Sequence, residues 1–401
     1  MTPCLCVENK KNMNKRFIWA AAAAALSLQM SAAEIDENAE AAATEAAKKE
    51  VKLSDIVSKP KFSGYMIGNY NATFQDNNNS NTFSIRLIRL VMTGRILNDF
   101  EYKIQGQVNG NSSTFGESPR IVDMSLEWLK HKEFRVKIGQ FKRPFTYENP
   151  MNPIDIGFNS QAQGVLKLAG FNDRTGEQSS SGRDMGVQVS GDLLPNSEGR
   201  TLLHYEVGVF NGQGINRKDV GNQKDVIGGV WVSPIKGMRI GGFGWVGSYA
   251  RTGYWSDGML EQSGTRKVGR YRYAISAEYK DADWQLRSEY IHNTGGAFKT
   301  TANTSSNLSD CNLNEKLGDR ADAVYVACVA PVIRGKLRAK ARYDLYRPAG
   351  SWDTAKTIYK AGFNYLFCKN IEIQTEYSFV NDRSLTKHNY SMADVQFSVR
   401  F

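Results

Sequence analysis

The sequence predicts an all-β protein, a 16-stranded antiparallel transmembrane β-barrel with short periplasmic turns and long outer loops. Three observations lead there. Apolar and polar residues alternate with period two through most of the chain. The links between the alternating segments are short and long in turn. An export signature precedes them all.

The export signature comes first in the chain. The apolar run Phe17–Leu28 is too short to span a bilayer as a helix. Lys15 and Arg16 precede it, and the small residues Ser31, Ala32 and Ala33 follow it. A basic stretch, an apolar stretch and an A-x-A-like site make a secretory signal peptide at 1–33, cut after Ala33. Met13 is a natural start for such a signal, so residues 1–12 read as an extension from an upstream start codon. No Cys stands at the cut, so a lipoprotein is not expected. Mean hydropathy is −0.46, against a bundle of membrane helices.

Residues 34–60 are Ala-rich and charged, acids first and lysines later. This order suits a helix dipole, and a solvated tether is the plainer expectation for a periplasmic leader that is either helical or disordered. The barrel is expected at 61–401, with both chain ends in the periplasm.

The alternation is regular where the strands are clean. In DFEYKIQGQVNG, Phe100, Tyr102, Ile104 and Val108 share one face, with Glu101, Lys103, Gln105 and Gln107 on the other. In IVDMSLEW the apolar face is Val122, Met124, Leu126 and Trp128. In EFRVKIGQ it is Phe134, Val136 and Ile138, and in LRAKARYDLY it is Leu337, Ala339, Ala341, Tyr343 and Leu345. Sixteen segments follow this rule: 62–74, 82–97, 100–110, 120–129, 133–141, 183–193, 201–210, 225–233, 237–249, 269–280, 283–292, 321–330, 335–347, 355–367, 370–380 and 390–401. Short links such as LND, KHKE, SPIKG, KDAD, PVIRG and CKN lie at one end, and long ones at the other. LPNSEGR is intermediate.

Aromatic residues near strand ends belong to interfacial girdles in such a barrel. Trp128, Phe141, Phe210, Trp245, Tyr249, Tyr279, Trp284 and Phe367 fill that expectation. The chain closes on VQFSVRF, an apolar strand with a terminal Phe of the kind the barrel-assembly machinery reads.

The formal charge of +10 falls to +7 when Glu8, Lys10, Lys11, Lys15 and Arg16 leave with the signal. A basic surplus suits nucleic acid, anionic lipid or anionic solutes. Export and the lack of dense basic runs speak against nucleic acid. Cys311, Cys328 and Cys368 remain, and Cys311 with Cys328 is one pairing that spacing leaves open. No Cys/His spacing suggests a metal, and no cofactor motif is present. His131, His204, His292 and His388 are scattered and no GxSxG elbow occurs, so an outer-membrane enzyme is not expected.

The longest link, 142–182, calls for a reason. Its flanks carry a family likeness. RVKIGQFKRPF at 135–145 resembles the KVGQFKxPF stretch of the phosphate-selective porin O and P family. SGRDMGVQVSGDL at 181–193 resembles the GRDxGVQVSG strand of that family, and ARYDLYRP and NYLFCKNIEIQTEYSFV resemble its last strands. The likeness runs from about 62 to 401 and is strongest at 133–193. It implies a homotrimeric porin whose basic residues line an anion path, with the long loop folded into the lumen by analogy with general porins.

Basic and acidic residues on the lumen-facing sides are nearly balanced, so ion choice must rest on placement. Arg135 and Lys137 on the fifth strand and Arg338, Lys340 and Arg342 on the thirteenth stand on opposite walls, with Lys142 and Arg143 at the base of the loop. These seven are the expected anion path. The expectation is a porin of a Gram-negative outer membrane, a passive diffusion channel for small anions, with phosphate or polyphosphate as candidate solutes. The alternatives are a non-selective general porin, or a plugged structural or adhesive barrel. Arginines that only brace carboxylates are the plain alternative for any one residue.

Overall fold

The computed structural model describes residues 56–109, 118–303 and 309–401. The signal peptide and nearly all of the leader lie outside the described residues. The strands are β1 (Lys61–Phe74), β2 (Ser80–Ile96), β3 (Phe100–Val108), β4 (Arg120–Trp128), β5 (Arg135–Lys142), β6 (Arg183–Pro195), β7 (Thr201–Phe210) and β8 (Asp225–Val232). They continue with β9 (Met238–Asp257), β10 (Leu260–Asp281), β11 (Trp284–Thr294), β12 (Arg320–Ile333), β13 (Leu337–Arg347), β14 (Lys356–Cys368), β15 (Ile371–Asp382) and β16 (Asn389–Arg400). Each pairs antiparallel with its sequence neighbours, and β1 closes on β16 into one barrel of 16 strands. Closure leaves no edge, which a bilayer would not tolerate.

The seam shows how the last residue contributes. The Gly64 amide donates to Phe401 O at 2.8 Å, and the Phe401 amide returns the bond to Gly64 O at 3.0 Å. A Cβ on Gly64 would stand 2.6 Å from the Phe401 ring, so only glycine lets the terminal aromatic lie across β1.

Leu97 and Asn98 take φ of 50° and 60° in the tight β2–β3 turn, the left-handed pair that matches strand twist. The opposite ends carry the long loops. One expected long loop is not there. The stretch 250–268 continues β9 and β10, which run 20 and 22 residues to a turn at Gly258. A tilted span needs about 10 residues, so roughly half of this hairpin stands beyond the bilayer.

The outer face is apolar. Met124, Ile138, Val246, Ile275, Val326 and Phe363 are all exposed on it, an arrangement that needs lipid as its solvent. Two bulges break the strict alternation. Gln105 faces Asp123 while Gly106 faces Ile121, so Val122 is an extra residue. It turns inward and is fully buried, whereas Ile121 takes the lipid side. This corrects the apolar face expected for β4. In β2 the shift between Ile67 and Gly68 makes Arg86 the extra residue.

The girdle expectation is also corrected. Phe141, Phe210, Trp245 and Tyr249 are buried inside the barrel. Trp245 pairs with Arg272 across β9 and β10, on the lumen face. Trp284 and Phe367 are exposed at the short-turn end. Phe141, Phe210 and Trp245 have another apolar partner, the loop inside the lumen, and Tyr249 packs on Phe298. Cys311, Cys328 and Cys368 are all free thiols.

Candidate permeation path

Between β5 and β6 the chain folds into the barrel. It carries Phe145, Tyr147, Ile154, Ile156, Phe158, Val165, Leu168 and Phe171, all buried against Phe210, Trp245, Ile291 and Tyr325 of the wall. Burial of this many large side chains is the main force that holds the loop inside, at about 1.5–3 kcal/mol for each. Phe145 meets Trp245 edge-on at 5.5 Å, and Tyr147 meets Phe243 at 5.3 Å. A short helix, α1 (Gln163–Leu168), has the Gln163 amide donating to Asp344 of β13 at 3.0 and 3.2 Å.

Wall side chains satisfy loop backbone that has no strand partner. Arg342 donates to Ser160 O at 2.8 Å, Arg272 to Leu168 O at 2.8 Å, Asn364 to Gly157 O at 3.0 Å and Arg400 to Ile154 O at 3.1 Å. Glu376 accepts from the Asn159 amide at 2.6 Å. These partners lie on β10 to β16, and Arg86 of β2 adds a donor to Asn159 O, so the stretch 154–168 of the loop rests on that side of the lumen.

The root of the loop is tied by buried charges. Arg143 reaches Glu177 and Asp184 at 3.0 Å each, and Arg270 reaches Asp225 at 3.0 Å and also Glu177. The Trp245 indole lies among three guanidinium groups, Arg143 at 4.8 Å, Arg270 at 5.0 Å and Arg272 at 4.6 Å. Its N–H donates to Asp225 at 2.8 Å. A cation over an indole face is attracted by the ring quadrupole, the more so away from water.

A cavity of about 190 Å³ remains on the other side, along β3 to β7. It is lined by Lys103, Lys137, Lys142 and Arg183 against Asp123 and Glu206, with Pro144, Pro150 and Asn152 of the loop. Asp123 is shared, with Lys103 at 2.9 Å and Arg183 at 2.6 Å. Lys137 pairs with Glu127 at 3.1 Å. Lys142 donates to the carbonyls of Asn149, at 2.6 Å, and Met151, and forms no ion pair among the described residues.

The seven residues read from sequence fall into three places. Lys137 and Lys142 line the cavity. Arg135 binds Asp192 below it. Arg143 is fully buried in its acidic clamp. On β13, Arg338 pairs with Glu372 at 2.9 Å and Lys340 with Glu376 at 2.8 Å. Lys340 and Arg342 are buried beneath the loop, with the Phe158 ring 5.3 and 4.9 Å away. Arg143, Lys340 and Arg342, expected along the anion path, are covered by the loop, which occupies the space they point into.

Sequence reasoning missed Arg86, Arg89 and Arg183. Arg86 and Arg89 are three apart, which strict alternation puts on opposite faces, yet the β2 bulge turns both inward. Two arginines in the otherwise apolar run SIRLIRLV were the available signal.

Comparison with known proteins follows from this geometry. Residues 64–209 match the model of the family described as phosphate-selective porin O and P. The chain is porin-like. No curated protein sequence matches it. Among solved structures it is similar to an anion-selective porin from Comamonas acidovorans, at 13% identity over 85% of this chain and 98% of that one, with TM-score 0.58. It is similar to OmpF of Salmonella typhi in complex with daunomycin, at 13% identity, 88% and 100% coverage and TM-score 0.59. It is also similar to a loop-deletion mutant of OmpT from Vibrio cholerae, at 14% identity, 86% and 100% coverage and TM-score 0.56. At these identities the likeness is one of fold. The porin match and the lipid-facing outer surface of a closed barrel place the protein in the outer membrane.

Proposed function

We propose that this porin is a passive diffusion channel for small anions in a Gram-negative outer membrane, with phosphate and polyphosphate among its solutes. One observation carries the reading. The cavity left beside the loop is lined by four cations, Lys103, Lys137, Lys142 and Arg183, and two carboxylates, Asp123 and Glu206. In a narrow path walled by protein, charge placement sets the barrier to each ion. Lysine supplies a compact charge, and Arg183, whose fork is held by Asp123, adds to the field behind it. The matched family is described as phosphate-selective, and one fold neighbour is described as anion-selective. The assembly we propose is a homotrimer, a trimer being the form of one OmpT structure of Vibrio cholerae, inserted by the barrel-assembly machinery through the Phe401 strand.

The test is the reversal potential in a salt gradient across a planar bilayer. Anion preference is expected, and it should grow at low salt, where screening weakens. Cation preference would overturn the reading. No ionic conductance at all would favour a plugged barrel.

A further inference from the structure

We infer that Glu289 of β11 is the positioning residue that fixes the loop side of this path and so sets its width. The inference rests on the channel reading above for its meaning, but its geometry stands alone. Glu289 is 1% exposed, deep inside the barrel. Among the described residues no lysine or arginine forms an ion pair with it, which is unusual for a buried carboxylate. Four donors meet it instead. The Tyr147 amide donates to one oxygen at 2.7 Å and the Glu148 amide to the other at 3.0 Å. Ser276 of β10 adds a hydroxyl to the first oxygen, and Tyr325 of β12 adds one at 2.6 Å to the second.

Two wall hydroxyls thus aim the carboxylate, and two consecutive loop amides dock on it. The contact is to backbone, so it fixes where the chain runs whatever side chains it carries. The docked turn is held from its other end as well. Lys142, the last residue of β5, donates to the carbonyls of Asn149 and Met151. Asn149 donates to Arg143 O at 2.8 Å; on the β11 side, Glu148 also takes Arg287 at 2.9 Å. The stretch 146–151 is therefore strung between β5 and β11, six strands apart in the barrel. Pro144, Pro150 and Asn152, on or beside this stretch, are the loop's share of the cavity lining. Without the Glu289 carboxylate, two buried amides lose their acceptor, and the β11 side of the stretch keeps the Glu148–Arg287 side-chain pair but loses its backbone anchor.

The experiment uses the full mature chain refolded in lipid, with Glu289→Gln, Glu289→Asp and, as a control, Glu372→Gln, whose carboxylate binds Arg338 and not the loop. Hydrogen exchange at 146–151 is read beside single-channel conductance. In Glu289→Gln the segment should exchange at least tenfold faster, with β10–β12 as protected as before, and conductance should rise by half or more. Glu372→Gln should leave exchange at 146–151 where it was. If Glu289→Gln loses protection in β10–β12 as well, Glu289→Asp, which keeps the charge but shortens the reach, takes its place with the same expectation. Unchanged exchange at 146–151 overturns the inference, and so does unchanged conductance once the segment has been released. If the unmodified protein conducts nothing, the channel reading fails, while the exchange result still decides whether Glu289 holds the loop.

Discussion

Arg272 of β10 grips Asp173 of the inward loop through both guanidinium amines, at 2.7 Å to each carboxylate oxygen, with neither side chain exposed to solvent. The same arginine donates to Leu168 O and stacks beside Trp245, so one side chain joins the end of α1, the loop's turn and the wall.

Breaking that pair from one side leaves a buried charge without its partner. Arg272→Gln or Asp173→Asn should cost about 3–5 kcal/mol in the stability of the docked loop. The measurement is protease sensitivity of 142–182 together with open-channel noise. Clean cleavage resistance in both variants would mean the apolar cluster alone holds the loop.

The pair also sets how the loop answers to acid. Burial alone would raise the Asp173 carboxyl, but Arg272 and then Arg270 outweigh it and hold the group well below the ordinary aspartate range. A depressed carboxyl contributes stability that is complete above its unfolded value, about 3.9, and is lost only as pH falls through the folded value. Channel noise should therefore stay flat from neutral pH to about pH 4 as far as this anchor is concerned. Loop release beginning at pH 6 would show that another group controls it.

Ion choice should respond differently on the two walls. Replacing Lys103 and Lys137, which line the cavity without holding the loop, together by Gln should move the reversal potential toward zero and leave conductance near its original value. Replacing Arg338, Lys340 and Arg342 together by Gln should act on the loop, because Arg342 holds Ser160 and Lys340 is paired with Glu376. Greater noise and larger conductance are expected there. A shift of selectivity with quiet channels would return the β13 cluster to the path itself.

Replacing 147–171 by a short Gly-Ser linker should raise conductance several-fold, since the apolar cluster inside the lumen leaves with it. A conductance no larger than that of the parent would show that the narrowing lies elsewhere.

N-terminal sequencing of the protein extracted from membranes should return Glu34, because Ser31 and Ala33 occupy the cleavage positions. A start at Met1 or Met13 would refute the cut.

The strand count and order were legible in the sequence because strand faces and turn lengths are local properties. Phe134 and Ile138 alternate with Arg135 and Lys137 whatever else the chain does, and LND or KDAD can only be a tight turn. Lys103, Lys137, Arg272, Arg287 and Glu289 were assignable to the lumen side by the same rule. The length of 142–182 was enough to ask for an inward loop, though not to say which wall it would choose.

Tertiary pairing decided the rest. Arg86 and Val122 turn inward because their neighbours across the sheet skip a residue, and a bulge is a property of two strands at once. Trp245 looked like a girdle aromatic until the cross-strand register put it opposite Arg272. Lys340 and Arg342 read as pore-lining charges, and they do face inward. What lies in front of them is Phe158 and the carbonyl of Ser160, from a segment about 180 residues earlier in the chain. Periodicity along one strand reports which side a residue takes. Only closure of the barrel and docking of the loop settle whether water or protein waits on that side.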